Sequence, residues 1–595
     1  MKTAGKHEAK HAPAPEAETG KSRGPLSTAL GILKVLVYAA ILAALVYGAW
    51  YVFMHEPETW SEAYVASTVP RPYVYVIKSD EQGEETAERA GRLTRGTSVK
   101  WMEGSEREID GETYVIVDSG TELDLPAEEG EEGGRVLPYI KTGNLAESAD
   151  DVVRETEVYV RTPVTIYAEK EGPAIASFAA KGSCLKVTGY DILNEDGTVN
   201  KYRVEYTDGD DTGEGYVYRK YLTDSQKKAN KVFNDNNIYD KVKKDNYGME
   251  LYGGKAADLD YYPYEKPEIE GNEFCSYARA MYLNCAAAVN PDSYIKLIKK
   301  TDCNAVVVDI KDGVLAYKSD VAKELSPTSY KTAYASEEDY KAGVDALRDT
   351  GVYLIGRIVV FNDTIYAKDH PENCIKYGGS ANWPSAYSRG VWEYNVRLAR
   401  EAVEKFGFNE IQFDYVRFPD NAYEMSKSGK AKFRNHYDEE KGQAVQNFCF
   451  YAADQIHEAG AYFSVDVFGE SAYGYMTAYG QYWPGISNIV DAISAMPYTD
   501  HIGQDAWLNP YTSVRNWAKR AKKGQDYLDD PAAARTWITG YNTPYWAPTE
   551  NYGEKELKAQ IKGLKDGGLD GGFIPWNATN DLGKYKQYKA IWNED

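Results

Sequence analysis

The chain has 595 residues, too many for one hydrophobic core, so roughly three or four domains are expected. Its net charge of −23 at pH 7 argues against a nucleic-acid backbone as partner, because binding one needs a basic surface. The six cysteines (Cys184, Cys275, Cys285, Cys303, Cys374 and Cys449) include no C-x-x-C pair and are too sparse for a disulfide framework, which argues against a structural zinc site.

Residues 1–25 are polar and basic, with Lys2, Lys6, Lys10, Lys21 and Arg23, and read as a disordered tail. Residues 26–54 read as a transmembrane helix: from Leu30 onward the run is apolar apart from Lys34 and long enough to span a bilayer. A cleaved secretory signal would have a shorter apolar core, so an uncleaved anchor is expected. Basic residues precede the span and Glu56, Glu58 and Glu62 follow it. The positive-inside rule then leaves the N-terminus in the cytoplasm and everything after the helix outside the cell membrane.

Residues 70–146 and 152–223 read as two small all-β domains of short, evenly spaced strands. In the first, strands are expected over 73–77, 98–102 and 113–118, the last two joined through Asp110-Gly111, with an acidic insertion at 120–134. In the second they are expected over 158–161, 184–190, 201–206 and 215–218, with the acidic run 208–214 as a turn. Residues 159–167, Y-V-R-T-P-V-T-I-Y, and the later Gly215-Tyr-Val-Tyr218 resemble bacterial Src-homology-3-like domains. That resemblance implies contact with the bacterial cell wall. The alternative is a spacer that holds the C-terminal domain off the membrane. Residues 224–272 have no steady period and read as a linker with one short helix near 225–233.

From 273 to 595 the pattern becomes strand, helix, strand. Eight apolar strands are expected at 280–285, 305–310, 353–361, 410–418, 462–468, 492–496, 536–541 and 572–576, with amphipathic stretches such as 391–406 between them. Eight such units favour a (β/α)8 TIM barrel; an open doubly wound sheet is the alternative, but it usually brings a Gly-rich phosphate turn, and none is present.

A barrel of this type carries its chemistry at the C-terminal strand ends. The second strand ends with Asp309, Lys311 and Asp312, the third carries Arg357, and the fourth carries Gln412, Asp414 and Arg417. The fifth carries Asp466, with Glu470 just beyond. The sixth ends at Tyr498, the eighth at Trp576 and Asn577, and the seventh offers no carboxylate. Alternation puts Ile411 and Phe413 on one face and Gln412 and Asp414 on the other, and likewise separates Val465 from Asp466. Asp414 and Asp466 are then expected in one mouth on neighbouring strands, about 4.8 Å apart. Carboxyl groups about 5 to 5.5 Å apart suit double displacement at a sugar; about 6.5 to 9.5 Å suits inversion.

Residues 411–419, I-Q-F-D-Y-V-R-F-P, with Val465-Asp-Val-Phe-Gly469, Met496-Pro-Tyr498 and Trp576-Asn-Ala578, resemble the motifs of a bacterial glycoside hydrolase family with a (β/α)8 domain. The resemblance covers about residues 275–592. It implies a sugar-cleaving barrel with the nucleophile on the fourth strand, which supports Asp414 and leaves the proton donor open between Asp466 and Glu470. Asp309, Lys311, Arg357, Gln412, Arg417, Tyr498, Trp576 and Asn577 are the expected substrate-binding residues. With no His cluster, no metal and no cofactor are expected. The expected function is a membrane-anchored glycoside hydrolase acting outside the cell on a cell-wall or other polysaccharide. The alternatives are a non-catalytic glycan-binding protein with a degenerate barrel, which the acid-free seventh strand favours, and a deacetylase, which would need a metal.

Overall fold

The computed structural model of the chain describes residues 25–54, 58–120, 137–245, 251–546 and 552–593. The expected N-terminal tail and acidic insertion lie almost wholly outside these residues. The chain divides into two compact units, one up to Val152 and one from Val153 onward.

In the first unit, the helix Pro25–Met54 contains a 19-residue stretch, Ile32–Trp50, of mean hydropathy 2.2. It is long and apolar enough to cross a membrane, where a helix needs about 20 residues. An all-β sheet follows, with Val65, Val74, Val99, Val115, Val117 and Ile140 as its core. Asp110 (φ 53°) and Gly111 (φ 77°) close a hairpin, both in the left-handed region that a two-residue turn demands. The strand before that turn is Arg107–Ile109 and not Ser98–Met102 as the sequence suggested. Two charged positions beside one isoleucine carry too little alternation to show it.

The second unit opens with a seven-stranded antiparallel sheet running from Glu157–Val160 to Leu222–Thr223. A closed barrel of eight parallel strands forms the rest. The strands are β1 (Ala278–Leu283), β2 (Ala305–Asp312), β3 (Tyr353–Val359), β4 (Glu410–Asp414), β5 (Tyr462–Phe468), β6 (Ala492–Met496), β7 (Ala533–Thr539) and β8 (Gly572–Trp576). Pairing of β1 with both β2 and β8 closes the ring. Alternate residues point inward: Ala280, Val307, Ile355 and Ile574 fill the interior. Outward residues such as Phe413 meet the helix layer, here by stacking on Phe448.

The helix Lys441–Glu458 lies between β4 and β5 in the chain, and 15 of its 18 residues are buried. One side packs on the barrel; the other receives the antiparallel sheet. Tyr221 donates to Asp454 at 2.9 Å, Tyr451 donates to the Pro173 carbonyl at 2.6 Å, and the Lys220 ammonium lies 2.5 Å from Asp454. Residues 224–272, expected as a linker, run across the barrel with Ile238, Val242, Leu259 and Tyr261 buried. The segment ends at Asn272, whose side-chain amide donates to the Asn409 backbone carbonyl and accepts from the Asn409 side chain beneath β4.

Candidate active site

The barrel mouth is built around the Arg357 guanidinium on β3. Its Nη1 donates to Asp309 at 2.7 Å and to Asp312 at 3.1 Å, and its Nη2 donates to Asp414 at 2.6 Å. Its Nε lies 3.7 Å from Asp466 Oδ2, too far for a hydrogen bond. Register explains the gathering: Arg357 is level with Asp309 on β2 and Gln412 on β4, and Phe413 is level with Val465, so the next pair along is Asp414 and Asp466. Asp414 is 4% exposed and Asp466 1%.

The carboxylates differ in their surroundings. Burial holds the Asp466 carboxyl well above the usual carboxylate range, and the Asp414 charge pushes it the same way; Arg357 and the Trp537 N–H oppose both. That N–H, from β7, donates to Asp466 Oδ1 at 2.8 Å, while Oδ2 accepts no hydrogen bond from the described residues. Burial pushes Asp309 up to about 6, although Arg357 pulls it down and the Tyr282 hydroxyl donates to it at 2.5 Å. Gln412 donates across the barrel to Ser494 at 3.0 Å, and its own Oε1 has no partner among the described residues.

β4 stops at Asp414, four residues short of the expected end, because Tyr415 turns into the left-handed region at φ 55°. For a bulky residue this costs about 1–2 kcal/mol. The turn lets the Tyr415 amide donate to Asp414 Oδ1 at 2.6 Å, fixing the second oxygen of a carboxylate whose first is held by Arg357. The Tyr415 ring packs near Trp383, and the Arg417 guanidinium lies over Tyr415 and Phe468.

The other expected residues separate into two groups. Trp576 lies beside Tyr282 and Trp537, with the Arg357 guanidinium 5.5 Å from its ring centre, and Tyr498 is buried against Tyr541. Lys311 faces the helix layer: its ammonium is buried between Asp363 and Asn395, 2.7 Å from each. Asn577 holds its own loop, donating to the Asp581 carbonyl and accepting from the Asp581 amide. Glu470 is exposed beyond β5, and its two oxygens accept from Tyr475 and Tyr479 at 2.6 Å each. The structure therefore brings together Asp309, Arg357, Gln412, Asp414, Asp466 and Trp576, and turns Lys311 and Asn577 to other partners. Sequence reasoning missed Tyr282 and Trp537, because an aromatic residue in a strand carries no mark that separates a hydrogen-bond donor from packing. It also missed the Glu410–Arg535 ion pair buried at the opposite end of the barrel.

A family model described as “Putative glycosyl hydrolase domain” (DUF4015) matches residues 280–582. No curated protein matches the chain. Among solved structures, a hypothetical protein from Ruminiclostridium thermocellum ATCC 27405 is 29% identical, covering 31% of this chain and 97% of its own, with a TM-score of 0.26. The PgaB (BpsB) glycoside hydrolase domain from Bordetella bronchiseptica is 10% identical over 54% of this chain and 99% of its own, with a TM-score of 0.40. An endo-1,4-β-D-mannanase from Thermotoga petrophila RKU-1 is 13% identical over 51% and 88%, with a TM-score of 0.35.

Proposed function

This chain belongs to that glycosyl hydrolase domain family, and from this premise we propose that its barrel cleaves a glycosidic bond by double displacement, with Asp414 as nucleophile and Asp466 as acid and base. The observation that carries the reading is the pair of carboxyl groups, each next in its strand after the paired Phe413 and Val465 and both beside one guanidinium. Strands about 4.8 Å apart suit the short separation that a covalent glycosyl intermediate needs. The upward shift of Asp466 favours its protonated form, the form a donor to the leaving oxygen needs. Asp414 attacks the anomeric carbon as that bond breaks. Asp466, now ionised, then takes a proton from the water that releases the sugar.

Arg357 and Tyr415 hold Asp414 in line, Asp309 and Gln412 face sugar hydroxyls, and Trp576 and Tyr498 offer ring faces. Arg417 and Glu470 lie at the rim, and Glu470 is the alternative proton donor. Lys311 and Asn577 act on the loops. The substrate is a polysaccharide of the wall or the cell exterior. The helix Pro25–Met54 anchors the enzyme with its N-terminus in the cytoplasm, and the β domains hold it near the wall.

The test is hydrolysis of a panel of wall and extracellular polysaccharides by the full-length protein, with product configuration followed by NMR. Asp414→Asn and Asp466→Asn are expected to abolish release of reducing ends while the melting temperature stays within a few degrees, and the wild type to give the retained anomer first. Full activity in Asp414→Asn overturns the assignment. Glycan binding without hydrolysis in the wild type selects a non-catalytic binding protein.

A further inference from the structure

The chain is strongly acidic, yet one of its faces is not. The three helical segments that follow β6, β7 and β8, Pro510–Gln525, Glu554–Gly567 and residues 582–592, hold twelve lysines and arginines against three acids. The first two helices pack nearly backbone to backbone: a Cβ on Gly567 would stand 2.4 Å from that of Ala518, and one on Gly563 2.9 Å from the Tyr511 carbonyl. This contact merges their cations into one surface. Lys519, Lys523 and Lys565 are exposed on it and make no ion pair with the described residues. The Asp566 carboxylate is already taken by Lys562 and Tyr511, at 2.6 and 2.8 Å. Beside the starts of β1 and β8 the surface opens into a groove of about 600 Å³ whose lining includes Arg279, Lys558, Lys562 and Lys565 together with Asp566 and Ile561.

We propose that this face is a docking surface for a linear polymer of phosphate groups. Charge complementarity gives the sign of the partner: in a molecule that elsewhere repels polyanions, twelve cations are concentrated on consecutive helices. Ten of the twelve are lysines, whose ammonium groups are compact point charges that meet the oxygens of a tetrahedral phosphate from any direction. The anionic surface of a membrane is the poorer match. Val514, Trp517, Ala518, Leu557 and Leu564, the apolar sides of these helices, are buried in the barrel, so no apolar face is left to enter a bilayer. The groove lies by the strand starts, at the end opposite the carboxylate mouth, so an anchored polymer would leave the mouth open to glycan. The proposal does not rest on the hydrolase reading.

The test uses the full-length chain in a neutral detergent and fluorescently labelled polyphosphate, with affinity measured across a salt series. Lys519→Gln/Lys523→Gln/Lys565→Gln is expected to bind about tenfold more weakly and to lower the salt slope by about three. Lys323→Gln/Lys331→Gln/Lys368→Gln, an equal charge change on the helices around β2 and β3, is expected to bind as the wild type does. Circular dichroism melts check that both variants fold. Equal losses in the two variants, or no binding of polyphosphate by the wild type, overturn the proposal. Preference for polygalacturonate assigns the face to carboxylate polymers, and capture only by anionic lipid vesicles assigns it to a membrane; either result overturns it as well.

Discussion

Trp537 illustrates how one neutral donor can set the working range of a carboxyl group. Its N–H stabilises the ionised form of Asp466, so it lowers a carboxyl that burial and the Asp414 charge raise. If Asp466 must be protonated to act, hydrolysis falls as the pH climbs through its ionisation. Trp537→Phe removes the donor, so the alkaline limb of the kcat/KM profile is expected to move to higher pH while the acid limb stays in place. An alkaline limb that is unmoved or moves down removes Asp466 as the proton donor. The convergence of Asp414 and Asp466 was legible because strand alternation is local: once Ile411 and Phe413 are assigned to the helix side, Gln412 and Asp414 have only the interior. The fates of Lys311 and Asn577 were not legible. Lys311 follows a register shift between β2 and β3 just after Asp309, which turns a residue of interior parity toward Asn395, and no residue type signals that shift.

Elements were readable where their signal was periodic and blurred where a distant partner set the boundary. β5, β6 and β8 begin and end where expected, as does the helix Arg389–Phe406 to within two residues. β7 starts three residues early, at Ala533, because Arg535 enters the interior to meet Glu410 from β4, and an arginine does not read as a core position. β4 ends early because Tyr415 takes a left-handed turn set by the packing of Trp383 and Arg417. The contact between Pro510–Gln525 and Glu554–Gly567 gives a prediction of this scale. In an exposed helix, glycine to alanine gains up to about 1 kcal/mol. At Gly567 the new methyl would meet Ala518, and overpacking of about 1–3 kcal/mol opposes that gain. Gly567→Ala is therefore expected to lower the urea midpoint at unchanged m-value. A raised midpoint would mean that the two helices part without cost.

At the scale of the whole second unit, the antiparallel sheet, the segment 224–272 and the barrel share buried surface, with the helix Lys441–Glu458 between them. Residues 273–595 alone would expose Phe450, Tyr451 and Asp454 to water. That shorter chain is expected to aggregate or to melt well below a chain of residues 153–595, which is expected to unfold in one calorimetric transition. Equal melting temperatures would mean that the barrel needs none of this cover. The sequence showed the sheet and the barrel as separate domains because each has its own period. The contact between them rests on scattered tyrosines and charged pairs such as Lys220–Asp454, and the segment 224–272 buries its apolar residues at irregular intervals that no window resolves. The helix that receives the sheet is also the connection between the strands bearing Asp414 and Asp466. Tension applied to the sheet from its N-terminal side would thus pass directly into the segment joining the two acids, and into the helix Arg389–Phe406, whose Glu393 accepts from the Ile175 amide.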